Sequence, residues 1–350
     1  MRGITRKVGL AFSSCLFTAI VCGLTGGVSA PAHESEPAGQ TKLEATRALL
    51  VSRYADVMKH MGGAEAADLQ MRIDDDLAAY LSGSVPEGFT KSDWIIRLDG
   101  LADLDSSLVA QVAAGKPEPL ASVHGLVERT FVSHLDGTLQ PLALYVPPAL
   151  GKDPTLVILL HGNPQTEAEI LSGPYFRTLA DMTGTIVGAP LARGVPGYPP
   201  PANVDIYDAA DYLRAAYHVG PHRTYLVGYS NGGFAVFKVG PIHPDVWNAI
   251  MCIAGAVVDS EAASVRSGFA TKRVYVVNGA KDENIPPQLG EQTAHWLAGV
   301  GIQTGLYQAP AGTHYISTLM PTLKVAWRDM MAGSIGPVAG QAAGYQTPQP

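Results

Sequence analysis

A serine lies between two glycines in the segment Gly228-Tyr229-Ser230-Asn231-Gly232. An apolar run predicts a buried strand before it, and residues 231–239 predict a helix after it. A sharp strand-to-helix turn would hold the serine hydroxyl clear of the backbone, because glycines have no Cβ atoms to collide where strand and helix cross. Such a hydroxyl can attack an acyl carbon if a base removes its proton. The same five residues are also typical of an ordinary strand-to-helix loop.

Two further loops carry groups that would complete this chemistry. Asp282 follows the predicted strand 274–277, and His314 directly precedes the last predicted helix. In a parallel sheet, the loops at the carboxyl ends of the strands meet at one edge. We therefore predict that His314 removes the Ser230 proton and that Asp282 orients the imidazole ring. Asp259, in the loop after the preceding strand, is an alternative acid.

An acyl intermediate also needs N–H donors for the negative charge on its oxygen. The backbone N–H of Asn231 lies at a predicted helix start, which favours negative charge. The loop after the predicted strand 156–160 reads His161-Gly162-Asn163-Pro164, and its His-Gly pair resembles the oxyanion loop of many esterases and lipases. Because proline has no N–H, we predict the backbone N–H of Asn163 as the second donor. The alternative is a plain turn with a buried structural histidine.

Three more side chains are candidates for a wall around the substrate. The stiff, proline-rich loop 193–201 is expected to border the cleft. Within it, Tyr198 is a candidate to stack on an aromatic acyl group, the alternative being a purely structural, rigid loop. Arg193 is expected to meet either a substrate carboxylate or an acidic side chain of the protein. Tyr315 directly follows His314 and is the third candidate.

Alternating apolar runs and helical patterns must position these residues, and they predict the α/β class. Continuous apolar strands indicate a mostly parallel sheet covered by helices on both faces, and Asp136-Gly137 indicates one hairpin. The predicted strands are 123–133, 140–146, 156–160, 185–187, 224–227, 249–253, 274–277 and 302–308. The predicted helices that accompany them are 166–182, 205–218, 231–239, 288–298 and 316–331.

The N-terminal thirty residues have the pattern of a secretory signal peptide. Positive charges come first, an apolar stretch covers residues 8–24, and Val28-Ser29-Ala30 fits a cleavage site after Ala30. We predict cleavage there and a secreted or periplasmic location, the alternative being a retained membrane anchor. Loss of residues 1–30 would change the net charge from −7 to −10, and an acidic surface disfavours anionic partners.

The remaining chain divides into three parts. Residues 31–119 form a linker and a helical extension, with helices predicted at 41–61 and 64–81 and one or two more within 92–114. This extension either packs on the catalytic core or forms a wall of its cleft. Residues 120–332 form the predicted catalytic domain, and residues 333–350, rich in Gly, Ala, Gln and Pro, a disordered tail.

Several classes of partner and cofactor find no support in the sequence. Beyond the N-terminus no basic cluster indicates nucleic acid, and after signal cleavage no stable membrane span is expected. No Cys/His spacing indicates zinc and no acidic loop indicates calcium, so we predict no metal and no cofactor. Cys252 would be the one cysteine left, which excludes an internal disulfide. No pattern specifies an oligomeric state.

Taken together, residues 123–331 resemble the α/β-hydrolase fold, within the broad group of secreted bacterial esterases and prolyl-oligopeptidase-like serine hydrolases. The chain order Ser230, Asp282, His314 matches the serine, acid, histidine order of that fold. The resemblance implies a serine esterase that cleaves small-molecule or polymer-linked carboxylic esters through a covalent acyl-enzyme. The sequence departs from one lipase variety, because no run of three glycines follows His161. The helical extension is not part of the common family core.

Two other functions compete with ester hydrolysis. One is a serine peptidase of the prolyl-oligopeptidase type, although the N-terminal extension is too short for a propeller domain. The other is a binding protein that keeps the fold without catalysis, since a fold alone does not guarantee activity.

Overall fold

The structure is a computed structural model that describes residues 41–86, 89–120 and 123–336. The predicted signal peptide, the linker up to residue 40 and residues 337–350 of the predicted tail lie outside the described residues. No helix of the described part is long and apolar enough to cross a membrane.

One sheet of eight strands forms the centre of the described chain. The strands are β1 (Gly125–Val132), β2 (Leu139–Val146), β3 (Thr155–Leu160), β4 (Thr185–Pro190), β5 (Thr224–Tyr229), β6 (Ala249–Ile253), β7 (Arg273–Gly279) and β8 (Gln303–Ala309). Their spatial order is β1-β2-β4-β3-β5-β6-β7-β8. The β1–β2 and β2–β4 pairs are antiparallel, and all the others are parallel. The predicted α/β class with a mostly parallel sheet is therefore confirmed.

Helices cover both faces of this sheet. They are α4 (Glu167–Ser172), α5 (Pro174–Thr183), α6 (Ala202–Ala216), α7 (Asn231–Val239), α8 (Ala262–Gly268), α9 (Pro287–Gly299) and α10 (Ile316–Ala332). Side chains along a strand alternate between the two faces. In β5, Leu226 joins the core formed with α6, α7, α8 and α9, whereas Tyr225 and Val227 join the core formed with α4, α5 and α10. Two buried layers thus hold the strands, and their carboxyl ends are free to carry functional loops.

The single helix predicted over residues 166–182 is wrong, because the structure has two. The first, α4, ends at Ser172, and Gly173 is extended, with φ −67° and ψ 154°. Pro174 then starts α5. A residue before proline avoids the helical region, and proline cannot donate the next helical hydrogen bond. The Gly173-Pro174 pair therefore breaks the helix.

Three long helices form the N-terminal extension: α1 (Lys42–Met61), α2 (Gly63–Ser82) and α3 (Lys91–Ala114). They share a small apolar core, built from Leu50, Val57, Ile73 and Leu108 among others, which also takes in Leu139 of β2. The helix α3 packs on β1 and α4. The extension is thus attached to the edge of the sheet on which the first hairpin lies.

Buried charges cross this attachment. The Arg72 guanidinium, on α2, is paired with Asp105 of α3 and, at 3.0 Å, with Glu167 of α4. Both carboxylates are almost completely buried, and so is Glu128 of β1, whose two oxygens have no hydrogen-bond partner among the described residues. Burial raises the pKa of Asp105 to about 6 and that of Glu128 well above its usual range. One arginine is thus shared by a cluster of carboxyl groups.

Candidate active site

Ser230 occupies a strained position between β5 and α7. Its backbone has φ 54° and ψ −116°, a left-handed conformation that residues other than glycine rarely adopt. Neighbouring backbone groups hold it there: Ser230 N donates to Ile253 O at 2.9 Å, and Gly232 N donates to His161 O at 3.1 Å. Strain of this kind costs about 1–3 kcal/mol and persists only where surrounding structure enforces it. The turn therefore presents the hydroxyl at the end of the strand.

The two flanking glycines are required by the crossing of backbones at this turn. A Cβ atom on Gly228 would lie 2.0 Å from Gly232 O, and one on Gly232 would lie 2.1 Å from Leu160 O. Neither backbone oxygen can move without displacing a strand or the helix. The local glycine pattern thus reflects how closely α7 approaches β5 and β3.

Ser230, His314 and Asp282 form one continuous chain of hydrogen bonds. His314 Nε2 lies 3.0 Å from Ser230 Oγ, and His314 Nδ1 lies 2.8 Å from Asp282 Oδ2. Asp282 is in the loop after β7, and His314 is in the loop between β8 and α10. The structure therefore brings together three residues that follow three different strands. At a distance of 3.0 Å, the Ser230 hydroxyl can transfer its proton directly to the imidazole of His314.

Further contacts fix both partners of the serine. Asp282 is 4% exposed, and its Oδ1 accepts hydrogen bonds from Asn284 N at 2.9 Å and Ile285 N at 2.8 Å. Its Oδ2 remains for His314. Tyr229, which sequence analysis did not single out, donates from its hydroxyl to His314 O at 2.8 Å, and its ring lies 5.4 Å from the imidazole. The residue before the serine thus orients the histidine, although no local pattern indicates this role.

The two predicted oxyanion donors face the same cavity. Asn231 begins α7, and Asn163 follows β3 by three residues; both line a cavity of about 410 Å³. Neither backbone N–H donates a hydrogen bond to another described residue. The two N–H groups therefore have no backbone partner among the described residues, and both residues border the cavity. His161 is 8% exposed, and its ring nitrogens lie 2.9 Å from Gly162 O and 3.3 Å from Leu191 O, so it supports this loop.

The structure pairs Arg193 with acidic side chains of the protein. Its guanidinium lies 2.6 Å from Asp205, 2.7 Å from Asp136 and 3.7 Å from Glu65. These acidic groups raise its pKa further above the usual range, and the side chain is 11% exposed. The charge of Arg193 is therefore neutralised within the protein, which was the other outcome foreseen for it.

The predicted aromatic wall also differs from the structure. Tyr198 lies in the cavity lining but is 2% exposed, and its hydroxyl donates to His161 O at 2.9 Å. It supports the oxyanion loop and has no open face for stacking. Tyr315 is 71% exposed and is not among the residues that line the cavity. The alternative acid Asp259 is exposed at the start of a short 3₁₀ turn, whereas Asp282 contacts His314.

The helical extension forms one wall of the cavity. Side chains of α2 line it together with the loops after β3 and β4; among them are the acidic Glu65, Asp68 and Asp76, the apolar Leu69, and Arg72. Of the two placements foreseen for the extension, the structure thus has it bordering the cleft as well as packing on the core. Within the described part of the chain, no group of three His, Cys, Asp or Glu residues could hold a metal ion.

Comparison with known proteins shows which sequences and folds the chain is similar to. No protein-family model matches the chain. It is similar to feruloyl esterase B of Neurospora crassa, with 28% identity over 146 residues, 38% of this chain and 48% of that protein. The chain thus matches about half the length of this curated relative.

Two solved structures share the fold. A ferulic acid esterase superimposes with a TM-score of 0.50 at 13% identity, over 59% of this chain and 97% of that one. Staphylococcus aureus fluorophosphonate-binding serine hydrolase F superimposes with a TM-score of 0.50 at 14% identity, over 61% and 99%. The chain therefore has the α/β-hydrolase fold, as its sequence predicts.

Proposed function

We propose that this protein is a serine hydrolase that cleaves carboxylic esters through a covalent acyl-enzyme. Ser230 is the nucleophile, His314 the general base and Asp282 the residue that orients the imidazole. The observation that carries the proposal is the hydrogen-bond chain from Ser230 Oγ through His314 to Asp282, at 3.0 Å and 2.8 Å. The similarity to a feruloyl esterase supports an ester as the substrate, either free or linked to a polymer.

The proposed reaction has two steps. As Ser230 Oγ attacks the ester carbonyl, His314 Nε2 accepts its proton, and the buried Asp282 stabilises the resulting imidazolium. The backbone N–H groups of Asn231 and Asn163 stabilise the oxyanion. His314 then gives the proton to the leaving alcohol, and the acyl group stays on Ser230. In the second step His314 activates a water molecule, which releases the acid and restores the serine hydroxyl.

A fluorophosphonate probe tests this proposal directly. The probe phosphonylates a serine, with loss of fluoride, only where the hydroxyl is activated, and its P=O oxygen needs the same N–H donors as the acyl oxyanion. We expect mass spectrometry of the labelled full chain to find one modified residue, Ser230. Ser264→Ala, an exposed serine of α8, is the matched control and should label like the parent. Absence of labelling, or labelling that persists in Ser230→Ala, would contradict the proposal.

We also propose that the protein is exported after cleavage behind Ala30. The support is the sequence of residues 1–30, with its positive start, apolar stretch and small-residue site. N-terminal sequencing of protein from the medium or periplasm is expected to begin at Pro31. A native N-terminus at Met1 on membrane-bound protein would favour an uncleaved anchor.

A further inference from the structure

The ring of Tyr229 packs against both of the loops that meet at Ser230. Its centroid lies 5.4 Å from that of the His314 imidazole, with 33° between the two ring planes. The same ring packs against the loop after β3, because a Cβ atom on Gly162 would lie 3.3 Å from its Cδ1 atom and 3.4 Å from its Cε1 atom. One aromatic ring therefore contacts both the base and the loop that carries the Asn163 N–H.

The hydroxyl of Tyr229 holds the main chain of the histidine. It donates to His314 O at 2.8 Å, and the main chain of His314 makes no other hydrogen bond with a described residue. Burial, and after it the charge of Asp282, raises the pKa of Tyr229 above its usual range, so the hydroxyl keeps the proton that it donates. Without this bond, hydrogen bonds of the imidazole alone would hold His314 in place.

The support for this contact is rigid. Tyr229 is the last residue of β5, which pairs with β3 on one side and with β6 on the other. Its side chain is 9% exposed, and its one hydroxyl proton is used in the bond to His314 O. Tyr229 therefore acts on the reaction through His314 and has no proton left to donate to a substrate.

The position of His314 matters because its ring must serve two oxygen atoms in the proposed acylation. Its Nε2 atom first accepts the proton of Ser230 Oγ, 3.0 Å away, and then gives it to the alcohol oxygen as the bond to the carbonyl carbon breaks. Misplacement of a reacting group by about 1 Å can lower a rate by about 100-fold. An alcohol that leaves as a stable anion needs only the first transfer, so the effect of a loosened His314 depends on the leaving group.

We propose that Tyr229 is a positioning residue, which holds His314 where its Nε2 atom reaches both Ser230 and the leaving alcohol. This inference rests on the ester hydrolysis proposed above and extends it to a residue outside the hydrogen-bond chain from Ser230 to Asp282. The ring fixes the imidazole relative to the loop after β3, and the hydroxyl fixes the main chain from which the imidazole projects.

Tyr229→Phe tests the hydroxyl and retains the ring. The substrates are the ethyl and 4-nitrophenyl esters of one acid, used as a butanoate pair and a ferulate pair; ethanol needs a proton to leave, whereas 4-nitrophenolate does not. We expect kcat/KM to fall by about 10- to 100-fold for the ethyl esters and by about 2- to 5-fold for the 4-nitrophenyl esters, with KM unchanged. Loss of folded protein would lower both by one factor, so the ethyl-to-nitrophenyl ratio isolates positioning.

Two other tyrosines provide matched controls. Tyr275 is also buried and donates to a main-chain oxygen, Ser334 O at 2.7 Å, at the opposite end of α10 from His314. Tyr275→Phe should leave the ratio unchanged even if stability falls. Tyr198→Phe removes the bond to His161 O and acts on the loop after β3, whose N–H donor both esters use, so it should lower both rates by one factor.

The outcomes separate this inference from the proposed function. An unchanged ratio in Tyr229→Phe, with Ser230-dependent hydrolysis of both esters retained, would overturn the inference and leave the esterase proposal standing. An equal fall of the ratio in Tyr275→Phe or Tyr198→Phe would also overturn it, because the ratio would then not report on His314. Failure of the parent to hydrolyse any of the four esters in a Ser230-dependent way would overturn both.

Discussion

Replacement of Ser230 by alanine is expected to lower kcat for ester hydrolysis by about 10⁴-fold or more. The substitution removes the attacking oxygen and leaves the oxyanion donors and the cavity in place. Water alone is a poor nucleophile at neutral pH, so the remaining rate would come from binding and oxyanion stabilisation. Initial rates with a 4-nitrophenyl ester and the loss of the pre-steady-state burst measure the effect.

Folding is expected to survive this substitution. Ser230 Oγ makes one side-chain hydrogen bond, to His314, and its strained backbone is held by hydrogen bonds of main-chain atoms that alanine keeps. The melting temperature should therefore change little. Ser264→Ala, on the surface of α8, should keep the parent rate. A Ser230→Ala variant that turns over esters at the parent rate would show that the hydroxyl is not the nucleophile.

The sequence predicts those residues of the site that lie in loops directly after the strands of the sheet. Ser230 and Asp282 each follow a strand that reads as a continuous apolar run, and His314 follows the last predicted strand, 302–308. In a parallel sheet the carboxyl ends of the strands converge. The parallel topology therefore predicts that the three residues, each identified from its own loop, lie close together. The order of the strands does not follow from such runs, because the pairing of β2 with β4 depends on contacts between distant segments.

The substrate wall could not be predicted in the same way. Arg193 lies in a loop that borders the cleft, as expected, but its three acidic partners come from α2, the first hairpin and α6. A local pattern shows that an arginine is present and gives no information on which carboxylate reaches it. Tyr198 is similar: its loop is correctly placed, and the hydrogen bond to His161 O is formed only when two loops meet.

The charged residues between the extension and the core are the feature that the local sequence predicts least well. Glu128 lies in a strand whose alternation does not distinguish it from exposed residues, and Arg72 lies on a helix face rich in acids that reads as solvent-exposed. Glu128 is buried where α3 packs on β1, and the side chain of Arg72, 13% exposed, reaches the buried carboxylates of α3 and α4. The attachment of the extension thus creates an environment in which ionisation is costly, and this has a measurable consequence for stability.

Replacement of Arg72 by methionine is expected to lower the free energy of unfolding by about 3–5 kcal/mol near pH 8. Methionine retains much of the volume but leaves Asp105 and Glu167 buried without their cation. The cost should be smaller at pH 5. The pKa of Asp105 is about 6 with Arg72 present and rises when the cation is lost. A carboxyl whose folded-state pKa exceeds its unfolded value loses stability as pH rises through the folded pKa, so the deficit grows with pH.

Urea unfolding of the parent and the variant at both pH values measures this deficit. Arg47→Met is the matched control, since Arg47 pairs with Asp74 at 2.5 Å on the surface of the same extension and exposed pairs contribute about 0–1 kcal/mol. Adding Asp105→Asn and Glu167→Gln to Arg72→Met should recover much of the loss, because positions 105 and 167 then carry no charge that needs the cation. If Arg72→Met cost no more than Arg47→Met, or if the added substitutions restored nothing, the charge cluster would not be what joins the extension to the hydrolase core. Recovery would show that the cluster contributes to stability through its charge balance.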